Sequence, residues 1–455
     1  MRESKPLAIH FLLALIIPLQ INWGPLVKAG ELSSIDEIAN KITVRIEGAT
    51  KGSGIIVSRN GSSYTVLTAW HVLRGHRPGE ELAIITADGY QHPLKQRSIE
   101  RIGKIDMALL TFESDEYYEL AKLGDSLSVR HQHKVHVGGY PLSNDNMMSI
   151  SPGEIIANAE VCIDQGYQLL YSNRTSPGMS GGPVLTEAGQ LVGIHGRGEK
   201  SEQSTNGAVA NLKTGVNQGV PIHFYKSYKS GEVIGRNRSE PHTADDYLAM
   251  AQNSIDIRGR EQTVIRLSKK AAELRDNPWS HLNIGTAYRR IGNIDNAIQS
   301  LGRVLKFQNS YVSRTLGHVA LIDIGNLFLV KQRPLKAIEF FTMAENENKY
   351  QPLAFMNRGF AYVMIDNIEG AIRDYSVAIK LLTNRGDPAE YLQHTYLKRA
   401  FAYYQWGDAS KQCSDIRKAL SIETKKDDSA NLLEAEAWIN SDKGLWCKQL
   451  PVQSG

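Results

Sequence analysis

Between residues 285 and 419 one pattern of small and large side chains returns four times in the same register, and this repetition constrains the fold more than any other feature. With Gly285, Gly325, Gly359 and Ala400 as anchors, an aromatic residue follows three positions later: Tyr288, Phe328, Tyr362 and Tyr403. At sixteen positions stand Leu301, Phe341, Tyr375 and Ile416, and at nineteen Val304, Ala344, Ala378 and Ala419. At twelve stand Ala297, Ala337, Ala371 and, out of pattern, Gln412. The anchors are 40, 34 and 41 residues apart, so two connections carry insertions. Apolar residues between these positions keep helical spacing, which predicts helix pairs in which small residues admit large ones. A weaker copy lies one period upstream, around Ala251 and Leu267, and NLLEAEAWINSDKGLW (431–446) reads as the capping helix such stacks require.

The first half has another texture. From about 38 to 225, short β-branched runs such as ITVRIEG, YTVLTAWHV and GGPVLTEAGQLVGIHG are punctuated by Gly, Pro and Asn, which predicts an all-β barrel or sandwich. The stretch SGEVIGRNRSEPHT (230–243) separates the two textures. A formal charge of +4 over 455 residues, without a Lys/Arg run, argues against nucleic acid as a partner. Three cysteines, Cys162, Cys413 and Cys447, are too few and too scattered for a disulfide scaffold or a zinc site. The start reads as a signal peptide: MRESK, an apolar run from Phe11 to Leu19, then Val27-Lys28-Ala29, with cleavage expected near Ala29. That run is about half of the ~20 residues needed to span a bilayer. The expected location is therefore secreted or periplasmic, with no membrane span after removal of the leader, where Cys413 and Cys447 can pair.

The chemistry lies in the first half. In Gly178-Met179-Ser180-Gly181-Gly182-Pro183 a serine is flanked by glycines. The nucleophile elbow of an α/β-hydrolase requires a helix after the serine; here Pro-Val-Leu and LVGIHG follow, which is strand chemistry, and an esterase of that fold is disfavoured. His71 stands in Thr68-Ala69-Trp70-His71-Val72, Asp106 in IDMALL, and Ser180 last, the order His, Asp, Ser.

These three motifs resemble the histidine, aspartate and serine motifs of trypsin-like serine peptidases. The compact spacing and sparse cysteines resemble the bacterial branch. The repeats resemble the tetratricopeptide family. The resemblance implies a chymotrypsin-like double six-stranded β-barrel followed by an all-α tetratricopeptide-repeat solenoid: leader 1–29, protease domain 30–228, linker 229–243, repeats 244–450.

It implies that His71 takes the proton of Ser180 while Asp106 holds the imidazole, and that the N–H groups of Gly178 and Ser180 form an oxyanion hole. No cofactor is required. In trypsin-type zymogens a new N-terminal amine pairs with an aspartate just before the serine; Met179 stands there and cannot accept that charge. Specificity-pocket positions fall on Arg174, Thr175 and His195, none of them acidic, which disfavours Lys or Arg substrates. Thr175 and His195 further resemble glutamyl endopeptidases and imply a preference for acidic residues. TGVNQGVPI (214–222) resembles the late strand bordering the substrate channel. His131, His133 and His136 lack carboxylate or Cys partners nearby in sequence, so a metal is not expected there.

The expected partners are protein or peptide substrates, with a further protein partner on the repeat array. The alternative is a catalytically silent protease fold that acts as a scaffold through its repeats.

Overall fold

The computed structural model describes residues 30–422 apart from 78, 95–98, 143–146, 162, 199–215, 234–238, 308–310 and 386–388. The expected leader, Cys162, Cys447, the expected capping stretch and the first residues of the 214–222 segment lie outside the described residues.

The first described element is a helix, α1 (Gly30–Ile42), which reaches into the stretch from about 38 whose texture predicts strands. Ile35, Ala39 and Ile42 are all buried at spacings of four and three, and this helical period outweighs the β-branched run that overlaps its end. Strands β1 (Thr43–Gly48), β2 (Gly52–Asn60) and β3 (Ser63–Thr68) follow, then the single turn α2 (Trp70–Leu73). With β4 (Leu82–Ile85), β5 (Gln91–Pro93), β6 (Ile99–Arg101) and β7 (Ala108–Glu113) they form an antiparallel sheet in the order β5-β4-β1-β2-β3-β7-β6. It has seven strands where six were expected, because the three-residue β6 pairs with β7 just ahead of Asp106.

Strands β8 (Lys134–Gly139), β9 (Ser149–Asn158), β10 (Leu169–Tyr171), β11 (Pro183–Thr186), β12 (Leu191–Arg197) and β13 (Asn217–Pro221) close into a six-stranded barrel. Ile46, Ile55, Val66 and Leu110 of the first sheet share one core with Leu185, Ile194 and Val220 of the barrel. The cleft between two β units sharing a core is therefore held at fixed width. Helix α3 (His223–Ser230) closes the β half.

Ten helices follow among the described residues, as five antiparallel pairs: α4 (Ala244–Ile255) with α5 (Glu261–Leu274), α6 (Pro278–Arg290) with α7 (Ile294–Val304), α8 (Tyr311–Val330) with α9 (Pro334–Glu347), α10 (Pro352–Met364) with α11 (Ile368–Arg385), and α12 (Ala389–Trp406) with α13 (Ala409–Ser421). The small anchors do what the spacing demands. A Cβ on Gly325 would lie 2.5 Å from the Phe341 ring, and one on Gly359 would lie 2.8 Å from the Tyr375 ring. Each glycine thus admits the bulky residue sixteen positions on, while Ala297, Ala337, Ala371 and Ala378 are fully buried between helices. Two repeats add a buried ion pair at equivalent positions, Arg358 with Asp374 and Arg399 with Asp415. Cys413 is disulfide-bonded.

The array is docked on the barrel. Ile156, Ala157 and Leu170 of β9 and β10 pack in one cluster with Leu248 of α4 and with Trp279 and Leu282 of α6. Thr243 and Asp246 cap α4 reciprocally. Asp246 Oδ1 also accepts the N–H groups of Glu160 (2.7 Å) and Val161 (3.2 Å), and Asp245 Oδ2 that of Asn158 (2.8 Å). No helix among the described residues is long and apolar enough to cross a membrane.

Candidate active site

His71 lies in α2, immediately after β3, so the sheet itself delivers the imidazole to the cleft. Its backbone N–H donates to Asp106 Oδ1 at 2.8 Å and its Nδ1 lies 2.7 Å from Asp106 Oδ2. Two contacts between one residue pair fix both the position and the ring orientation, and leave Nε2 facing the cleft. Asp106 is 1% exposed. Burial alone would raise its pKa, but the hydrogen bonds and charge of His71, the Tyr167 hydroxyl and the His71 N–H together hold the carboxyl below its ordinary value. It is an anion at neutral pH.

Ser180 sits on a loop that the β units pin from both sides. Ser180 O accepts the Ser53 N–H of β2 at 2.8 Å, and the Gly181 N–H donates to His195 O of β12 at 2.7 Å. Gly178 has φ +99° and Gly181 φ +87°; a Cβ would fall 2.4 Å from Tyr140 O at the first and 2.1 Å from Ser53 O at the second. Only glycine fits at either. Pro177 O accepts the Leu142 N–H (2.9 Å) and Met179 O the Gly182 N–H (3.0 Å). In a trans peptide the N–H points opposite to the C=O, so the N–H groups of Gly178 and Ser180 face away from these contacts, and neither has a protein acceptor among the described residues. Ser53 Oγ donates to Gly178 O (2.9 Å) and accepts the Tyr140 N–H (2.9 Å), which locks the loop. The Ser180 hydroxyl donates to Gly196 O of β12 at 2.9 Å.

Of the expected pocket residues, His195 is fully buried, with Nδ1 2.7 Å from the Tyr171 hydroxyl. Burial, and then the charge of nearby His71, push its pKa down to about 3, so it is neutral. The Thr175 hydroxyl donates to Asn217 Oδ1 at 2.5 Å, and a Cβ on Gly198 would meet both residues. Arg174 is not brought to these two: its side chain is exposed, and only its backbone is held, by N–H to Ser151 Oγ at 2.7 Å. The three clustered histidines also diverge: His131 Nδ1 meets Ile156 O, His133 Nδ1 accepts from Arg130, and His136 is buried in β8.

Sequence reasoning missed two features. A cleft of about 670 Å³ opens beside His71, and Arg74, Arg101 and Lys104 line it together with Trp70 and Asp164. Tyr167 donates to Asp106 Oδ2 from the connection between β9 and β10. Neither carries a motif; for Tyr167 the one available sign was Gly196, whose Cβ would lie 2.2 Å from the Tyr167 ring.

Residues 52–194 match the family model described as trypsin-like peptidase domain, a stretch that holds His71, Asp106 and Ser180. The β half is a trypsin-like peptidase domain. Its relatives include Serine protease Do-like HtrA of Lactobacillus helveticus, 25% identical over 36% of this chain and 39% of that one. The protein of the same name in Bacillus subtilis is 28% identical over 32% of each chain. Tetratricopeptide repeat protein 17 of Homo sapiens is 32% identical over 23% of this chain and 9% of its own length, and the helical half is similar to it over that stretch. The chain spans less than two fifths of the length of these relatives.

Proposed function

We propose that the protein is an exported serine endopeptidase in which Ser180, His71 and Asp106 act as the triad. The observation that carries this reading is the pair of contacts that clamps His71 on an ionised, buried Asp106, beside a serine loop whose glycines no other residue can replace. In this reading the Ser180 hydroxyl leaves Gly196 O and gives its hydrogen bond to His71 Nε2. Oγ then attacks the scissile carbonyl, His71 takes the proton, and the negative charge on the carbonyl oxygen meets the N–H groups of Gly178 and Ser180. Collapse breaks the C–N bond as His71 protonates the leaving amine, and water repeats the sequence to release the acid.

The finer reading is a preference for acidic side chains. In this reading the buried Tyr171 phenol donates to His195 Nδ1, which puts the ring's hydrogen on Nε2 as a neutral donor for a carboxylate, and the Thr175 hydroxyl is bonded to Asn217 of β13, the neighbour of β12. The three cations beside His71 favour acidic residues on the neighbouring side of the substrate. In this reading 30–228 is the protease unit, 229–243 a connector, and 244–450 an array that recruits a substrate or partner.

A fluorophosphonate probe tests the core claim. Wild type labels; Ser180→Ala and His71→Ala do not. A peptide-library digest then shows cuts after Glu or Asp, and cuts elsewhere overturn the acidic preference while leaving the triad. Folded wild-type protein that never labels favours the scaffold reading.

A further inference from the structure

The first helix of the array and the buried carboxylate of the site hold the same two pieces of the barrel. On the array side, Asp245 and Asp246 of α4 bind the N–H groups of Asn158, Glu160 and Val161, at the start of the β9–β10 connection. The far end of that connection touches Asp106 twice: Gln165 O accepts the Asp106 N–H at 2.9 Å, and the Tyr167 hydroxyl donates to Asp106 Oδ2. Gln165 reaches this position with φ +54°, a left-handed conformation that a glutamine keeps only under constraint.

The second route runs through Arg197, at the end of β12. Its guanidinium lies 3.7 Å from the centre of the Tyr167 ring and pairs with Asp164 at 3.6 Å. Its Nη2 donates to Asn253 Oδ1 of α4 at 3.0 Å, and the Asn253 amide donates in turn to Ala249 O, which fixes its orientation. The Arg197 stack covers the face of Tyr167, and Gly196 leaves the room that the ring needs.

We infer that helix α4 sets the position of the Asp106 carboxylate, through the β9–β10 connection and through Arg197 on Tyr167, so that the repeat array is a working support of the active site as well as a recruiting surface. This rests on the proposed triad. Tyr167 and Arg197 are positioning residues: they act on Asp106, which acts on His71. Because Tyr167 and His71 share Asp106 Oδ2, loss of the phenol leaves that oxygen to His71 alone and strengthens the bond it makes to Nδ1. Besides Asp106, Tyr167 and His195, the charged groups around His71 are Arg74, Arg101, Lys104 and Asp164 of the cleft, which the test variants leave in place.

The experiment uses the full chain, a fluorophosphonate probe and the proton NMR resonance of the His71 Nδ1–H, with Tyr167→Phe, Asn253→Ala and the double variant. Tyr167→Phe slows the inactivation step by about tenfold with probe binding unchanged, and moves the His71 Nδ1–H resonance downfield as its bond to Oδ2 strengthens. Asn253→Ala, on the array, slows inactivation by about threefold, and the double variant is no slower than Tyr167→Phe alone. Arg197→Lys, which keeps the charge but loses the fork and the stack, behaves like Asn253→Ala. The inference is overturned if Tyr167→Phe moves neither the rate nor the His71 Nδ1–H resonance, or if the two variants multiply independently. A wild type that does not label counts against the triad, not against this coupling; the His71 Nδ1–H resonance still decides the coupling, because it is read without turnover.

Discussion

Ser53 shows how a residue outside any motif can govern the site. Its hydroxyl holds Gly178 O and the Tyr140 N–H, while its backbone meets Ser180 O and Thr68 Oγ1. Ser53→Ala leaves the buried Tyr140 N–H without an acceptor and frees the Gly178–Met179 peptide, so it should cost about 1–3 kcal/mol in urea melts. Fluorophosphonate labelling should slow by about tenfold in the folded fraction, and an unchanged rate would show that the loop holds itself. Buried histidines give the site a pH signature as well. Burial pushes the pKa of His195 down to about 3 and that of His223 to about 4, from 6.5. Below pH 6.5 each takes a proton in the unfolded chain but not in the folded one. Stability is therefore full above pH 6.5 and falls as pH drops towards the folded values, by up to about 1.4 kcal/mol per unit for each histidine. His223→Gln should reduce the loss between pH 6.5 and 5, measured as the change in urea midpoint, while His131, His136 and His318, whose pKa values burial also lowers, keep part of it. The histidine, aspartate and serine were legible because each sits in a short local motif. Tyr167, Ser53 and Arg197 were not, because each reaches the site from a segment whose own sequence serves another strand or turn.

Among elements, the repeat was the most readable because one residue period sets one packing distance: a missing Cβ at Gly325 or Gly359 predicts the ring that fills the gap. The ion pairs inside the repeats were not readable, since Arg358 and Arg399 look like ordinary surface positions until the helices close. Arg399 donates through Nε and Nη2 to the two oxygens of Asp415, each at 2.7 Å, and through Nη1 to Ser376. Arg399→Ala strands a buried carboxylate and should destabilise the last repeats by about 3–5 kcal/mol. Arg399→Met with Asp415→Leu removes both charges and should recover most of that loss in denaturant melts; failure to recover would mean that the pair specifies the α12–α13 packing rather than merely filling it. Helix α1 was missed for the opposite reason: its three buried residues run directly into a β-branched strand, and a short window favours the strand.

At the scale of the whole molecule the sequence places a linker between its two textures, and the packing joins what lies on either side of it. One apolar cluster runs from Ile156 and Leu170 of the barrel to Leu248, Trp279 and Leu301 of the array, and Asp246 accepts four N–H groups, from Glu160, Val161, His242 and Thr243. A carboxylate placed so is at once the cap of α4 and the anchor of the β9–β10 connection. Unfolding the barrel strips the first repeats of a packed face, so the two should melt together. Scanning calorimetry of the full chain should show the barrel and the first helix pairs in one transition, with the distal pairs free to fray earlier. Asp246→Ala removes both the cap and the anchor; it should split that transition in two and speed amide exchange at Glu160 and Val161. If wild type already melts in two separate steps, the interface is a contact between independent domains, and the array can reach Asp106 only when it is docked.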